Sequence, residues 1–117
     1  GINVVLGTDI AGGDSLSMFD TVVATIKTSK NKKIINNFTT PLLTVEEAYY
    51  LATSAANKFF NELPGFAKGN SLHALVIDDS KLVSAKPLSL LERFERSMYR
   101  RQENAIRAVY SNGTRIY

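Results

Sequence analysis

The stretch Gly7-Thr8-Asp9-Ile10-Ala11-Gly12-Gly13-Asp14-Ser15 constrains this chain more than any other. It follows an apolar run, Ile2-Asn3-Val4-Val5-Leu6, and precedes Leu16, Phe19, Val22, Val23 and Ile26, which recur at three- and four-residue spacing. Residues 2–7 are apolar on both faces, which predicts a buried parallel strand rather than an edge. That strand ends in a tight glycine turn with Asp9 at its tip. A helix follows to about Lys30, capped by a side-chain oxygen of Asp14 or Ser15. In α/β folds chemistry is done at the C-terminal ends of parallel strands, so Asp9 is the candidate catalytic residue. On spacing alone it reads sooner as a turn or capping aspartate, since Asp is favoured where strands enter glycine turns. The Gly12-Gly13 pair does not form a phosphate cradle, because the G-x-G-x-x-G and G-K-[ST] patterns are absent and Asp14 would repel an anion.

The remaining elements are spelled out by caps and turns. Thr44 and Glu47 have capping-box spacing, which opens a helix over residues 44–60 with a buried stripe of Val45, Ala48, Leu51, Ala52, Ala55, Ala56 and Phe59. Glu46 and Glu47 read as helix-start acids. Pro64-Gly65 and Gly69-Asn70 punctuate a loop. His73 to Asp78 reads as a strand closed by a turn at Asp78-Asp79-Ser80. Ser89 and Glu92 repeat the capping-box spacing and open a third helix, with Leu90, Leu91, Phe94 and Met98 facing inward and Glu92 placed to pair with Arg96. Ala105 to Tyr110 reads as a strand, and Asn112-Gly113 predicts a hairpin returning over Thr114 to Tyr117. Tyr49-Tyr50 and Phe59-Phe60 read as packing residues.

Composition excludes several classes. The 117 residues suffice for one small domain, and 44% are hydrophobic, which is not a disordered composition. The absence of cysteine rules out disulfides and thiolate metal sites, and fits a cytoplasmic protein. No apolar run approaches the roughly 18 residues of a membrane span. The net charge of +3 lies wholly in the C-terminal half, where residues 61–117 carry nine basic and six acidic groups. That bias is too small to imply nucleic acid. Arg93, Arg96 and Arg100 share one helix face and Arg101 and Arg107 follow, which reads as a solvated or paired face rather than a phosphate- or RNA-binding one. Neither nucleic acid nor a membrane is expected as a partner. The first residues already read as a strand with no leader, so the chain reads as cut from something longer.

Four stretches together resemble the C-terminal part of guanine deaminases, in the amidohydrolase superfamily: Gly7 to Met18, Leu43 to Thr53, Ala74 to Asp78, and Leu90 to Phe94 with the Asn104-Ala105-Ile106 tract and the closing hairpin. The strand-end Gly7-Thr8-Asp9 is common to many amidohydrolases, and the continuation to Met18 narrows it. The resemblance implies an α/β fold: the C-terminal fragment of a (β/α)8 barrel with strands of a small antiparallel β-sandwich. Residues 1–66 would be the end of the barrel, its eighth strand and flanking helices. Residues 67–117 would be the C-terminal part of the sandwich with one helix. A full barrel takes about 250 residues, so most of the enzyme would lie elsewhere.

The resemblance also implies a function. Asp9 would ligate a single zinc and shuttle a proton, accepting it from the attacking water and later delivering it to the leaving amine as guanine becomes xanthine and ammonia. The other ligands would be histidines on earlier strands. The lone His73 falls in the sandwich strand and does not replace one of them. The chain by itself is expected to bind no zinc and to be inactive. Two alternatives stand beside this: a deaminase of another amino-heterocycle, and an interaction module that keeps the scaffold without catalysis. The apolar faces of residues 2–7, 16–26 and 45–59 would want cover, so self-association as a homo-oligomer is expected.

Overall fold

The computed structural model describes residues 1–63, 65–100, 102 and 104–117. Pro64, expected in a loop, and Arg101, expected on the basic face, lie outside the described residues, as does Glu103. The chain forms two compact units, Gly1–Pro64 and Gly65–Tyr117.

The first unit is helical. Helix α1 (Met18–Ile35) buries Val22 and Ile26, as the apolar spacing requires. It differs from expectation at both ends. Its N-cap is Ser17, because Ser15 is used in the turn before it, where its Oγ accepts from the Ser17 N–H at 3.0 Å. At the other end the helix runs five residues past Lys30. Lysine is a good helix former, and Lys32 and Lys33 lie in the last turn, where positive charge suits the carbonyl end. It stops where Asn37 and Phe38 take left-handed φ of 49° and 63°, and the Phe38 N–H reaches back to the Lys33 carbonyl at 2.8 Å.

The span expected as one helix over 44–60 is two, α2 (Val45–Ala52) and α3 (Ser54–Phe59). The break is at Thr53, whose φ and ψ are −132° and −88° and whose Oγ1 donates to the Tyr49 carbonyl at 2.7 Å. The Thr44–Glu47 capping box is complete. Ala48 of α2 and Ala55 of α3 are fully buried, and α1 packs on α2. Phe59, expected at the end of the stripe, is instead 75% exposed. Tyr49, Tyr50, Phe59 and Phe60 are all exposed, with the two phenylalanine rings edge to face at 5.2 Å and Lys58 over the Tyr50 ring at 5.6 Å.

Residues 1–9 are neither helix nor strand. This corrects the expectation of a buried strand over 2–7. A strand exists by virtue of a ladder with a neighbour, and among the described residues no other strand runs beside this segment. Among the described residues it is tied by the Leu6 N–H to the Leu51 carbonyl at 3.0 Å and by the Asn3 side-chain amide to the Ala55 carbonyl at 3.1 Å. Ile2 and Val4 are exposed.

The second unit is a three-stranded antiparallel sheet, in the order β1 (Ala74–Ile77), β2 (Ile106–Ser111), β3 (Thr114–Arg115), with helix α4 (Leu90–Tyr99). Ala74 pairs with Tyr110 and Val76 with Ala108, and the register slips between Val76 and Ile77. Asn112 and Gly113, both at positive φ, make the tight turn between β2 and β3. Beyond β3 the Ile116 N–H still bonds the Val109 carbonyl, so the return continues towards Tyr117. The Ser89–Glu92 capping box opens α4. Met98 is buried on it, whereas Leu90 and Leu91, expected inward, are exposed. Glu92 caps Ser89 and meets Lys86 at 3.5 Å. No helix among the described residues is long and apolar enough to cross a membrane.

Candidate functional site

The Gly7–Ser15 segment folds into a tight turn around Asp9. The N–H groups of Gly12 and Gly13 both donate to the Asp9 carbonyl, at 2.9 and 2.5 Å. Asp9 sits at φ 48° and Ala11 at φ 80°. Aspartate visits this left-handed region more readily than most residues, while alanine does so at a cost of about 1–2 kcal/mol. The turn thus ties the carbonyl of Asp9 with two N–H groups at the residue that takes the left-handed conformation.

Asp9 faces a concavity of about 420 Å³, lined by Thr8, Asp9, Asp14, Ser15, Asp20 and Thr21 together with the turn glycines. The turn therefore joins Asp9 and Asp14 to Asp20 of the first turn of α1, a residue that sequence reasoning did not single out. No three His, Cys, Asp or Glu side chains among the described residues are grouped so as to hold a metal ion. A catalytic zinc takes three protein donors and keeps one position open. The described residues do not by themselves fit it. His73 lies in the other unit, immediately before β1.

Asp78 and Asp79 are used structurally, each paired with an arginine. Asp78 Oδ1 accepts from the Ser80 N–H at 2.9 Å, closing the expected turn, and its Oδ2 accepts from Arg107 at 2.7 Å. The hydrogen bonds from Ser80 and then from Arg107 hold the Asp78 carboxyl far below the usual carboxylate range. Arg93 of the basic face is paired with Asp79, and the hydrogen bond between them lowers the Asp79 pKa and raises that of Arg93. Sequence reasoning also passed over a hollow of about 580 Å³ over Pro41, Leu42, Leu43, Tyr50 and Leu51 in the first unit. Nothing in residue type marks it.

The fold is thus an α/β segment with a small antiparallel sheet, carrying a carboxylate in a glycine turn ahead of a helix. No family model matches the chain. Proteins of known structure and sequence do. A guanine deaminase of Dictyostelium discoideum is 31% identical over 98% of this chain and 27% of its own length. The crystal structure of guanine deaminase from C. acetobutylicum with guanine bound in its active site superposes on all of this chain and 28% of that one, with TM-score 0.91 and 37% identity. The guanine deaminase of E. coli shares the fold at TM-score 0.79 and 22% identity, over 99% of this chain and 27% of its own. Over nearly its whole length the chain therefore resembles guanine deaminases and corresponds to a fragment of them. It spans about a quarter of the length of the relatives it matches.

Proposed function

We propose that the chain is the C-terminal part of a guanine deaminase-like amidohydrolase, which hydrolyses guanine to xanthine and ammonia in the cytoplasm. Residues 1–66 form the end of its catalytic barrel, and residues 67–117 part of its small β-sandwich. Asp9 is the carboxylate of this chain that does chemistry. It takes a proton from the attacking water and returns it to the departing amine, one group serving as base and then as acid. The metal of the intact enzyme is zinc, to which Asp9 contributes one donor. The other donors are histidines outside this sequence, and the chain alone is inactive.

One observation carries this reading. Asp9 lines a concavity at a glycine turn, in a chain all of which superposes on 28% of a guanine-bound deaminase. The test is guanine turnover by the full-length gene product, read as xanthine and ammonia released, with zinc determined in the purified protein. Turnover that Asp9→Asn abolishes supports the assignment. A full-length product without zinc or guanine turnover overturns it, and turnover of another amino-purine alone moves the substrate but not the role of Asp9.

A further inference from the structure

Gly12 and Gly13 are adjacent, and a side chain at each would meet a different obstacle. A Cβ at Gly12 would lie 2.5 Å from Asp9 Oδ2, 3.1 Å from Asp9 Cγ and 3.5 Å from Asp9 Oδ1. The three nearest heavy atoms all belong to the one carboxylate. A Cβ at Gly13 would run into the carbonyl oxygen of Thr8, with the Thr8 carbonyl carbon at 3.1 Å and the Asp9 carbonyl oxygen at 3.2 Å. Its obstacle is backbone.

The two obstacles yield differently. The backbone around Thr8 and Asp9 is tied by the paired bonds to the Asp9 carbonyl, so it cannot give way without opening the turn. The Asp9 carboxylate stands at the end of two rotatable bonds and can swing aside. A methyl group at position 12 would therefore be accommodated by moving the carboxylate, and a methyl group at position 13 only by undoing the fold of the turn.

We infer that Gly12 is a positioning residue for Asp9: its bare Cα is the surface against which the carboxylate rests, and its N–H fixes the same residue's carbonyl. The inference rests on the proposed role of Asp9 as the proton-handling group. Proton transfer needs the donor and acceptor within hydrogen-bond reach, and a misplacement of about 1 Å can cost about 100-fold in rate. Gly12 thereby sets catalytic geometry without touching substrate.

The test uses the full-length gene product with Asp9→Asn, Gly12→Ala and Gly13→Ala. For each protein kcat, KM and the thermal midpoint are measured. The rotamer of Asp9 is read by NMR in 13C-aspartate-labelled protein, with Asp9→Asn identifying its signal. Expected for Gly12→Ala are a kcat lower by about 100-fold, an unchanged KM, an unchanged midpoint and a displaced Asp9 rotamer. Gly13→Ala is expected to lower the midpoint. An Asp9 rotamer unmoved by Gly12→Ala overturns the inference, as does a midpoint that falls as far as in Gly13→Ala. Full turnover by Asp9→Asn overturns the role of Asp9 instead, and the rotamer measurement then still decides whether Gly12 positions it.

Discussion

Arg93 grips Asp79 with both arms of its guanidinium, Nη2 reaching Oδ1 at 2.7 Å and Nε reaching Oδ2, which ties α4 to the turn after β1. A planar fork on a carboxylate is a geometry that an ammonium cannot reproduce. Arg93→Lys should therefore behave like Arg93→Ala rather than like the wild type. The pair also sets a pH dependence. The hydrogen bond to Arg93 lowers the Asp79 pKa, and hydrogen bonds to Ser89 lower that of Glu92. A group with a depressed folded pKa stabilises the fold above its unfolded pKa, and that contribution is lost as pH falls through the folded value. Urea midpoints should hold from neutrality to about pH 4, the unfolded carboxylate range, and fall below it. In Asp79→Asn the fall should be shallower. An equal fall in both proteins would show that this pair does not contribute.

Two capping boxes make a paired test within one chain. Thr44 accepts from the Glu47 N–H at 3.1 Å, and Ser89 accepts from the Glu92 N–H at 3.2 Å. In each, the glutamate returns the bond to the N-cap N–H at 2.8 Å. Thr44→Ala and Ser89→Ala should each cost about 0.5–2 kcal/mol, and the glycine variants only a few tenths. Urea unfolding followed by circular dichroism at 222 nm checks both. An alanine variant no less stable than its glycine counterpart would mean that the side-chain oxygen is not what holds the helix start.

The turn between β2 and β3 is built from Asn112 at φ 48° and Gly113 at φ 77°. Asparagine tolerates that region, and glycine enters it freely, whereas a Cβ at position 113 pays about 1–2 kcal/mol. The Gly113 N–H also bonds the Leu72 carbonyl at 2.9 Å, so the turn is tied to the residues before β1. Gly113→Val should weaken the Tyr110–Arg115 and Ser111–Thr114 pairings. Amide exchange should quicken at Ile116, whose N–H bonds Val109, and the change should fade towards α4. Unchanged exchange at Ile116 would contradict it.

What was legible in the sequence was what a few adjacent residues decide among themselves. Thr44 with Glu47, Ser89 with Glu92, Asn112 with Gly113, and the Asp78 turn each carry their own partners within a short span, and each formed as read. Burial was less legible, because it is settled by what packs from elsewhere. The spacing put Met98 and Leu90 on one face, yet Met98 is 2% exposed and Leu90 79%. The break at Thr53 was hidden for another reason: Ala52, Ala55 and Ala56 favour helix, and neither glycine nor proline marks the spot. At the candidate site the turn around Asp9 was legible from its glycines. The opposite reasons for Gly12 and Gly13 were not, since only coordinates show that one faces a carboxylate and the other a carbonyl.

Ile2 is 93% exposed, Val4 55% and Val5 42%, in a segment that among the described residues is tied by the Leu6 N–H to Leu51 and the Asn3 side chain to Ala55. Residues of this type are ordinarily covered, and a contiguous apolar surface of several hundred Å² marks an interface or an aggregation hazard. The segment also presents main-chain N–H and C=O groups that no strand among the described residues satisfies, which is the condition for pairing with a second chain. The 117-residue chain is therefore expected to self-associate through residues 2–5. Light scattering over a rising concentration series should show the mean mass climbing above 12.9 kDa. Val4→Asp combined with Ile2→Asp should return it towards the monomer, because each charge would have to be buried without a partner. Surface charges placed elsewhere, such as Thr28→Asp on α1, should not. A clean monomer at the highest concentration, or equal association in the doubly charged variant, would show that another surface or none is responsible.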